Sequence, residues 1–390
     1  MEEESMKIFS KKMSTTVFLF SIFIGVVINS SYTVQADELG YKSNVLLTET
    51  IPNDLVETVK ARLPYFDSIL LNDEGVASGN KSLGTAFSVY DDDNQQTYYY
   101  FPLYDGDGNM IKTIFCYNAE GAWQTNLSGY LVEELTRFVE EGSKTQGFVQ
   151  KNADLYAIDL QNNLILFNDS PVSNGYIPPK DVTLSTYNKE NLKQVKIEKN
   201  MYTFSNPVRK YSSSPSIIPK AEGQKYLNLD FLETQGSNNW CAAYVTTSII
   251  RYANKSNSPT ARQMMQHYYP NSSNLESQAA SREKCMDYGY LHNFFNMVNV
   301  NSPITVSGTQ LEINEESPFY IAASSDSTTA THAFTVRGYA NFDFYQTISV
   351  WNPWSDASYG YDLMDPSSHT ISTHGMVWKN FGTIYGWHHP

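Results

Sequence analysis

Cysteine is scarce in this chain, and its few copies lie far apart. Cys116, Cys241 and Cys285 are the only three in 390 residues, too few for a disulfide-built scaffold. They form no C-x-x-C pair, which argues against a structural zinc site, and no metal or organic cofactor is expected. Positive charge is also short, with 27 Lys and Arg against 41 Asp and Glu and a formal net charge of −14. That balance excludes nucleic acid as a partner and an electrostatic hold on an anionic membrane. Long apolar runs are missing: the best, Val17 to Ile28, is too short to cross a bilayer, so no stable membrane insertion is expected. Histidine is absent from the first half altogether.

What is present begins with an export signature. Lys7, Lys11 and Lys12 precede the short apolar core, and Val34-Gln35-Ala36 resembles a small-residue cleavage site. Residues 1–36 are therefore read as a signal peptide cleaved after Ala36, with a secreted, extracellular product.

Residues 37–204 read as a domain of their own. Leu55, Val56, Val59 and Leu63 predict a helix over Asn53 to Leu63. Strand patterns follow at Thr85 to Tyr90, Thr97 to Tyr104 and Ile111 to Asn118. A helix capped by Ser128 and two more strands, Leu155 to Leu160 and Asn163 to Phe167, complete an α+β layout with an antiparallel sheet. Asp105-Gly106-Asp107-Gly108-Asn109 opens like a calcium loop, but its twelfth position is Cys116, so a hairpin turn is expected instead. Residues 205–220, rich in proline, serine and basic side chains, read as an exposed, cleavable connector.

Beyond it, the stretch Glu233 to Tyr252 carries the chemistry. Gly236, Ser237, Asn238 and Asn239 are turn and cap residues ahead of an amphipathic helix expected from about Cys241 to Tyr252. A thiol at a helix N-terminus meets the positive end of the backbone dipole, which favours thiolate. A sulfur nucleophile also needs a base. Of the seven histidines, His388 and His389 lie at the end of the chain and His369 and His374 in a Ser/Thr-rich loop. His267 and His292 read as packing or surface residues among tyrosines. His332 instead opens an alternating strand, H-A-F-T-V-R-G-Y, where it is held yet reachable. Asn352, at the end of the strand Thr347 to Trp351, can accept from an imidazole N–H while Trp354 screens that bond from water. Gln235 offers a side-chain amide that, with the Cys241 N–H, can bind an oxyanion.

The order Gln235, Cys241, His332, Asn352 resembles the papain-like cysteine peptidases. Within them E-T-Q-G-x-N-x-W-C-A-x-Y, the His-bearing strand and W-N-P-W are closest to the secreted staphopains. The resemblance covers roughly Lys225 to the C-terminus. It implies Cys241 as nucleophile, His332 as base and acid, Asn352 as orienter and Gln235 as oxyanion donor, in a papain-like domain over 221–390 with helices first and an antiparallel sheet or half-barrel after. It also implies an inhibitory propeptide released by an activating protease, protein or peptide substrates, and a monomeric enzyme. Trp240, Trp354 and Asn239 are expected to line the substrate cleft. Two other readings remain open on the residues alone: a peptidoglycan amidase or peptidase using the same Cys–His pair, and a non-enzymatic secreted binding protein.

Overall fold

The computed structural model describes residues 51–73 and 81–388, less 85, 120, 141–144, 146, 152–153, 159–163, 169–201, 205–220, 230–231, 326–329, 355–360 and 374–375. The expected signal segment, the connector, His374 and His389 lie outside the described residues.

The first half opens with helix α1 (Asn53–Asp73), which continues past the predicted end at Leu63 and through Pro64. Leu55, Val59, Leu63, Phe66, Ile69 and Leu70 make one buried stripe, and the loss of a single backbone bond at proline does not outweigh it. Strands β1 (Lys81–Leu83), β2 (Phe87–Asp91), β3 (Gln96–Tyr104), β4 (Met110–Ala119) and β5 (Ala122–Ser128) follow. Helix α2 (Val132–Glu140) then leads to β6 (Gly147–Lys151), β7 (Asp154–Ile158), β8 (Leu164–Asn168) and β9 (Tyr202–Phe204). The sheet runs β5-β4-β3-β2-β6-β7-β8, with β1 and β9 attached through β3. One pairing departs from the antiparallel expectation: β2 and β6 are parallel. A parallel neighbour requires a crossover, and α2 supplies one, packing Leu135 and Phe138 among the sheet aromatics. The acidic loop is the β3–β4 turn, where Asp105 Oδ1 accepts from the backbone N–H groups of Asp107 and Asn109 and Gly108 sits at φ 82°.

The second half starts with β10 (Ala221–Tyr226), then α3 (Cys241–Asn254), α4 (Ala261–Tyr268) and α5 (Arg282–Leu291). After β11 (Val298–Val300) and α6 (Val306–Asn314) the chain turns to strands: β12 (Phe319–Ser325), β13 (Thr331–Phe342), β14 (Tyr345–Trp351), β15 (Tyr361–Asp365), β16 (Thr370–Thr373) and β17 (Met376–Tyr385). These pair in the order β13-β12-β17-β16-β15-β14, and β14 pairs back onto β13, so the antiparallel sheet closes into a barrel. Closure leaves β13 without a free edge, because β12 and then β10 occupy its other side. Helix α3 lies against β13 and is fastened by Ser248 Oγ and Thr335 Oγ1 at 3.1 Å.

The two halves share one core. Leu55, Phe66 and Leu83 of the first pack in the same cluster as Ala340, Phe342 and Leu363 of the second. Beside that cluster Arg337 of β13, itself buried, forms a two-pronged ion pair with the buried Asp73 at the end of α1, one prong at 2.7 Å. Breaking a buried pair by removing one partner costs about 3–5 kcal/mol, because the surviving charge stays desolvated. Asp73→Ala is therefore expected to destabilise the full chain by about 3 kcal/mol. Urea unfolding with unchanged slope and a lowered midpoint checks this.

Candidate active site

The site is assembled by three local structures. The first is the loop before α3. Glu233 Oε2 accepts from Arg251 in the last turns of α3 at 2.8 Å and from the Ala261 N–H of α4 at 3.0 Å, so the loop is clamped to both helices. Gln235 follows, buried, donating its backbone N–H to the Pro353 carbonyl at 2.6 Å and its Nε2 to the Asn238 carbonyl at 2.5 Å. That backbone bond ties the segment before the cysteine directly to the Asn352-Pro353-Trp354 turn.

The second is the start of α3. The sequence predicts side-chain capping by Ser237, Asn238 or Asn239, but the cap position is Trp240, whose side chain makes no capping hydrogen bond. Asn238 Oδ1 instead receives the Trp240 N–H at 3.1 Å, forming a turn one residue too early to cap. The amides of Cys241 and Ala242 are thereby left to face the thiol. Cys241 is half-buried, whereas Cys116 and Cys285 are fully buried and all three are free thiols. Burial pushes the Cys241 thiol up to about 11, against the pull of N–H groups from Ala333, Ala242 and Cys241 itself. The dipole argument read from sequence has the right sign, but desolvation outweighs it. A lone thiolate is therefore disfavoured at neutral pH, and one forms only beside a compensating cation.

The third is the β13–β14 hairpin. Its register sets Thr335 opposite Trp351, which brings Asn352, one residue on, alongside the start of β13. His332, only 2 % exposed, has its Nε2 2.9 Å from Asn352 Oδ1. Asn352 is fully buried, and its Oδ1 also accepts the Trp354 N–H at 3.1 Å. The Trp354 ring stacks on the imidazole at 3.8 Å and 22°, with Phe334 and Trp378 against its other sides. The expected screen over the hydrogen bond is thus present as a three-ring box. The Ala333 N–H faces the Cys241 sulfur, so the residue next to His332 touches the thiol.

The contacts therefore join His332 to Asn352, the Gln235 backbone to Pro353 beside it, and the Cys241 sulfur to the amide of Ala333, next to His332. The other expected residues divide. Trp354 forms the cover just described, whereas Trp240 is buried, donating its indole N–H to the Leu275 carbonyl at 3.0 Å. Asn239 is also buried, with Nδ2 on the Ser277 carbonyl. Both pack the loop rather than stand open to solvent. His267 and His292 pack beside Tyr288, and His388 lies 3.4 Å from Glu312 and Glu315. Sequence reasoning missed Thr373, whose Oγ1 receives Asn352 Nδ2 at 3.4 Å. No local pattern marks it; only the barrel's closure brings β16 to Asn352. Among the described residues no cluster of metal-ligating side chains occurs.

Known proteins resemble this chain along most of its length. Residues 222–387 match the family model described as staphopain peptidase C47. Staphopain A of Staphylococcus aureus is 23 % identical over 408 residues, covering 96 % of this chain and 98 % of its own. A protein of Staphylococcus epidermidis named extracellular cysteine protease is 24 % identical over 412 residues, covering 95 % and 96 %. A chain from a structural study of the mite allergens Blo t 1 and Der p 1 superposes with a TM-score of 0.31 and 11 % identity, covering 46 % of this chain and 73 % of that one. That last likeness is too slight to bear on the fold. The protein is thus an enzyme of the cysteine endopeptidase class. More narrowly, it is a staphopain-like cysteine peptidase.

If His332 supplies the cation that compensates the sulfur, replacing it by Ala should leave the Cys241 thiol with a midpoint near 11. Alkylation of Cys241 in that variant should climb steadily through the alkaline range with no plateau at neutral pH, as followed by iodoacetamide labelling against pH.

Proposed function

We propose that this chain is a secreted zymogen of a papain-like cysteine endopeptidase whose site is Cys241, His332, Asn352 and Gln235. The observation that carries the reading is the buried Nε2–Oδ1 contact of 2.9 Å, with the Cys241 sulfur against the neighbouring Ala333 amide. Asn352 engages Nε2, so Nδ1 is the imidazole nitrogen left to serve the sulfur. Nδ1 takes the thiol proton, and the thiolate attacks the peptide carbonyl carbon while the C=O electron pair moves onto oxygen. The Cys241 N–H and the Gln235 Nε2 donate to that oxyanion. On collapse the C–N bond breaks, and the imidazolium gives its proton to the leaving amine, leaving a thioester. A water molecule, deprotonated by Nδ1, then attacks the thioester carbon. The C–S bond breaks, the acid is released and the thiol is restored.

The first half fits the part of an inhibitory propeptide held to the enzyme by more than a tether. Tyr117 Oη bonds Thr370 Oγ1 at 2.8 Å, Asn126 Nδ2 bonds Ser372 Oγ at 3.0 Å, and Ser128 Oγ bonds Asp362 Oδ1 at 2.6 Å. These bonds run along β15 and β16, the strands behind Asn352. Cleavage by an activating protease in the 205–220 connector would free the enzyme as a monomer acting on proteins or peptides. The basic, apolar and small-residue succession in 1–36 supports export with cleavage after Ala36. No described helix is long and apolar enough to cross a membrane.

Three substitutions test the assignment on casein hydrolysis after proteolytic activation. Cys241→Ala should abolish turnover. Gln235→Ala should lower kcat by about 10²- to 10³-fold with little change in KM, the effect of losing one oxyanion donor. Asn352→Ala should keep weak activity. Full activity in Cys241→Ala, with inhibitor labelling at Cys285, overturns the reading.

A further inference from the structure

The Asn352 amide has two unlike ends, and the chemistry needs them the right way round. Oδ1 lies on His332 Nε2 and accepts the Trp354 N–H, while Nδ2 donates to Thr373 Oγ1 at 3.4 Å. Were the amide reversed, a donor would face Nε2–H, and the imidazolium would lose the acceptor that stabilises it. A threonine hydroxyl accepts well from an amide when its own hydrogen is committed elsewhere. Thr373 has such an outlet in Asp362, whose carboxyl it faces from the neighbouring strand. Thr373 and Asp362 are both 2 % exposed, so water does not compete for either group.

Building on the site reading above, we infer that Thr373 is a positioning residue for the Cys241–His332 pair, holding the Asn352 amide with Oδ1 towards the imidazole. Asp362 directs the Thr373 hydroxyl. Burial raises its carboxyl to about 6, opposed by the Ser128 and Thr373 hydroxyls, the Lys112 ammonium and the Gly129 N–H. Lys112 is the one charged side chain among those partners. The rings against His332, from Phe334, Trp354 and Trp378, carry no charge. Ser128, Gly129 and Lys112 belong to the first half, which therefore reaches the same carboxyl that orients Thr373.

The test uses the full chain, so it does not depend on activation. Cys241 is alkylated with iodoacetamide from about pH 4 to about pH 10, a range that brackets imidazolium and thiolate ionisation. The modified peptide is quantified by mass spectrometry, and a thermal melt confirms folding. Wild type should show a neutral plateau from the thiolate–imidazolium pair. Thr373→Val should lower that plateau by about five- to tenfold, the worth of one hydrogen bond, and narrow it on both sides. Thr373→Ser should restore it; a purely packing role would not discriminate in this way. A wild-type plateau in Thr373→Val, with a lowered one in Asn352→Ala, overturns the inference and leaves the site standing. Wild-type plateaus in both variants sink the site reading and the inference together. Should Thr373→Val fail to fold, Asp362→Asn replaces it: a smaller lowering is expected, and an unchanged plateau overturns the inference.

Discussion

The hydrogen bond between His332 and Asn352 is the constraint around which the second half is built. It is useful only if it is dry, since water would compete for both partners and weaken the field at the imidazole. Trp354, Phe334 and Trp378 supply the dryness from β13, β17 and the turn after β14. Holding these rings together requires the barrel to close, because β17 reaches His332 only through β12 and β14 only through β13. Helix α3 must then lie on β13 so that its first residue meets the amide of Ala333. The fold's large-scale closure and the placement of one imidazole are therefore the same problem.

The price of dryness falls on the sulfur. Burial raises the Cys241 thiol to about 11 even with helix-end amides turned towards it. A site of this kind does not rest on a thiolate prepared by the dipole alone. On the proposed reading it rests on a charge pair with His332 in which each ion makes the other tolerable, so whatever steadies the imidazolium would also steady the thiolate. Asn352 and the ring box touch the imidazole, and Thr373 touches Asn352 from behind, so all would act on that proposed pair. The first half contributes polar and charged groups to the same interior, through Ser128 and Lys112 near Asp362 and through Asp73 on Arg337.

Much of this was legible in the chain. Local signals carried the elements: the apolar stripe of α1, the alternation after His332, the turn residues before Cys241 and the Gly-rich β3–β4 hairpin. The residues proposed for the chemistry were legible because each has a local reason, whether a helix start, a strand start or a strand end. Illegible were the features decided by distant pairing. α1 outruns its predicted end because its far face finds partners in both halves. The parallel β2–β6 pair depends on where α2 crosses the sheet. Trp240, expected to line the substrate cleft, is buried with its indole N–H on the distant Leu275 carbonyl. Thr373 sits in a Ser/Thr-rich stretch with nothing local to distinguish it, and acquires meaning only once β16 lies beside Asn352.

The central claim, that a buried imidazole held by Asn352 shares its charge with Cys241, is tested most directly by nitrogen-15 NMR of the His332 ring in the intact chain. At pH 7 the account predicts a doubly protonated ring in wild type and a neutral one in Cys241→Ala. A ring that is neutral in both, or that titrates alike with and without the sulfur, contradicts it.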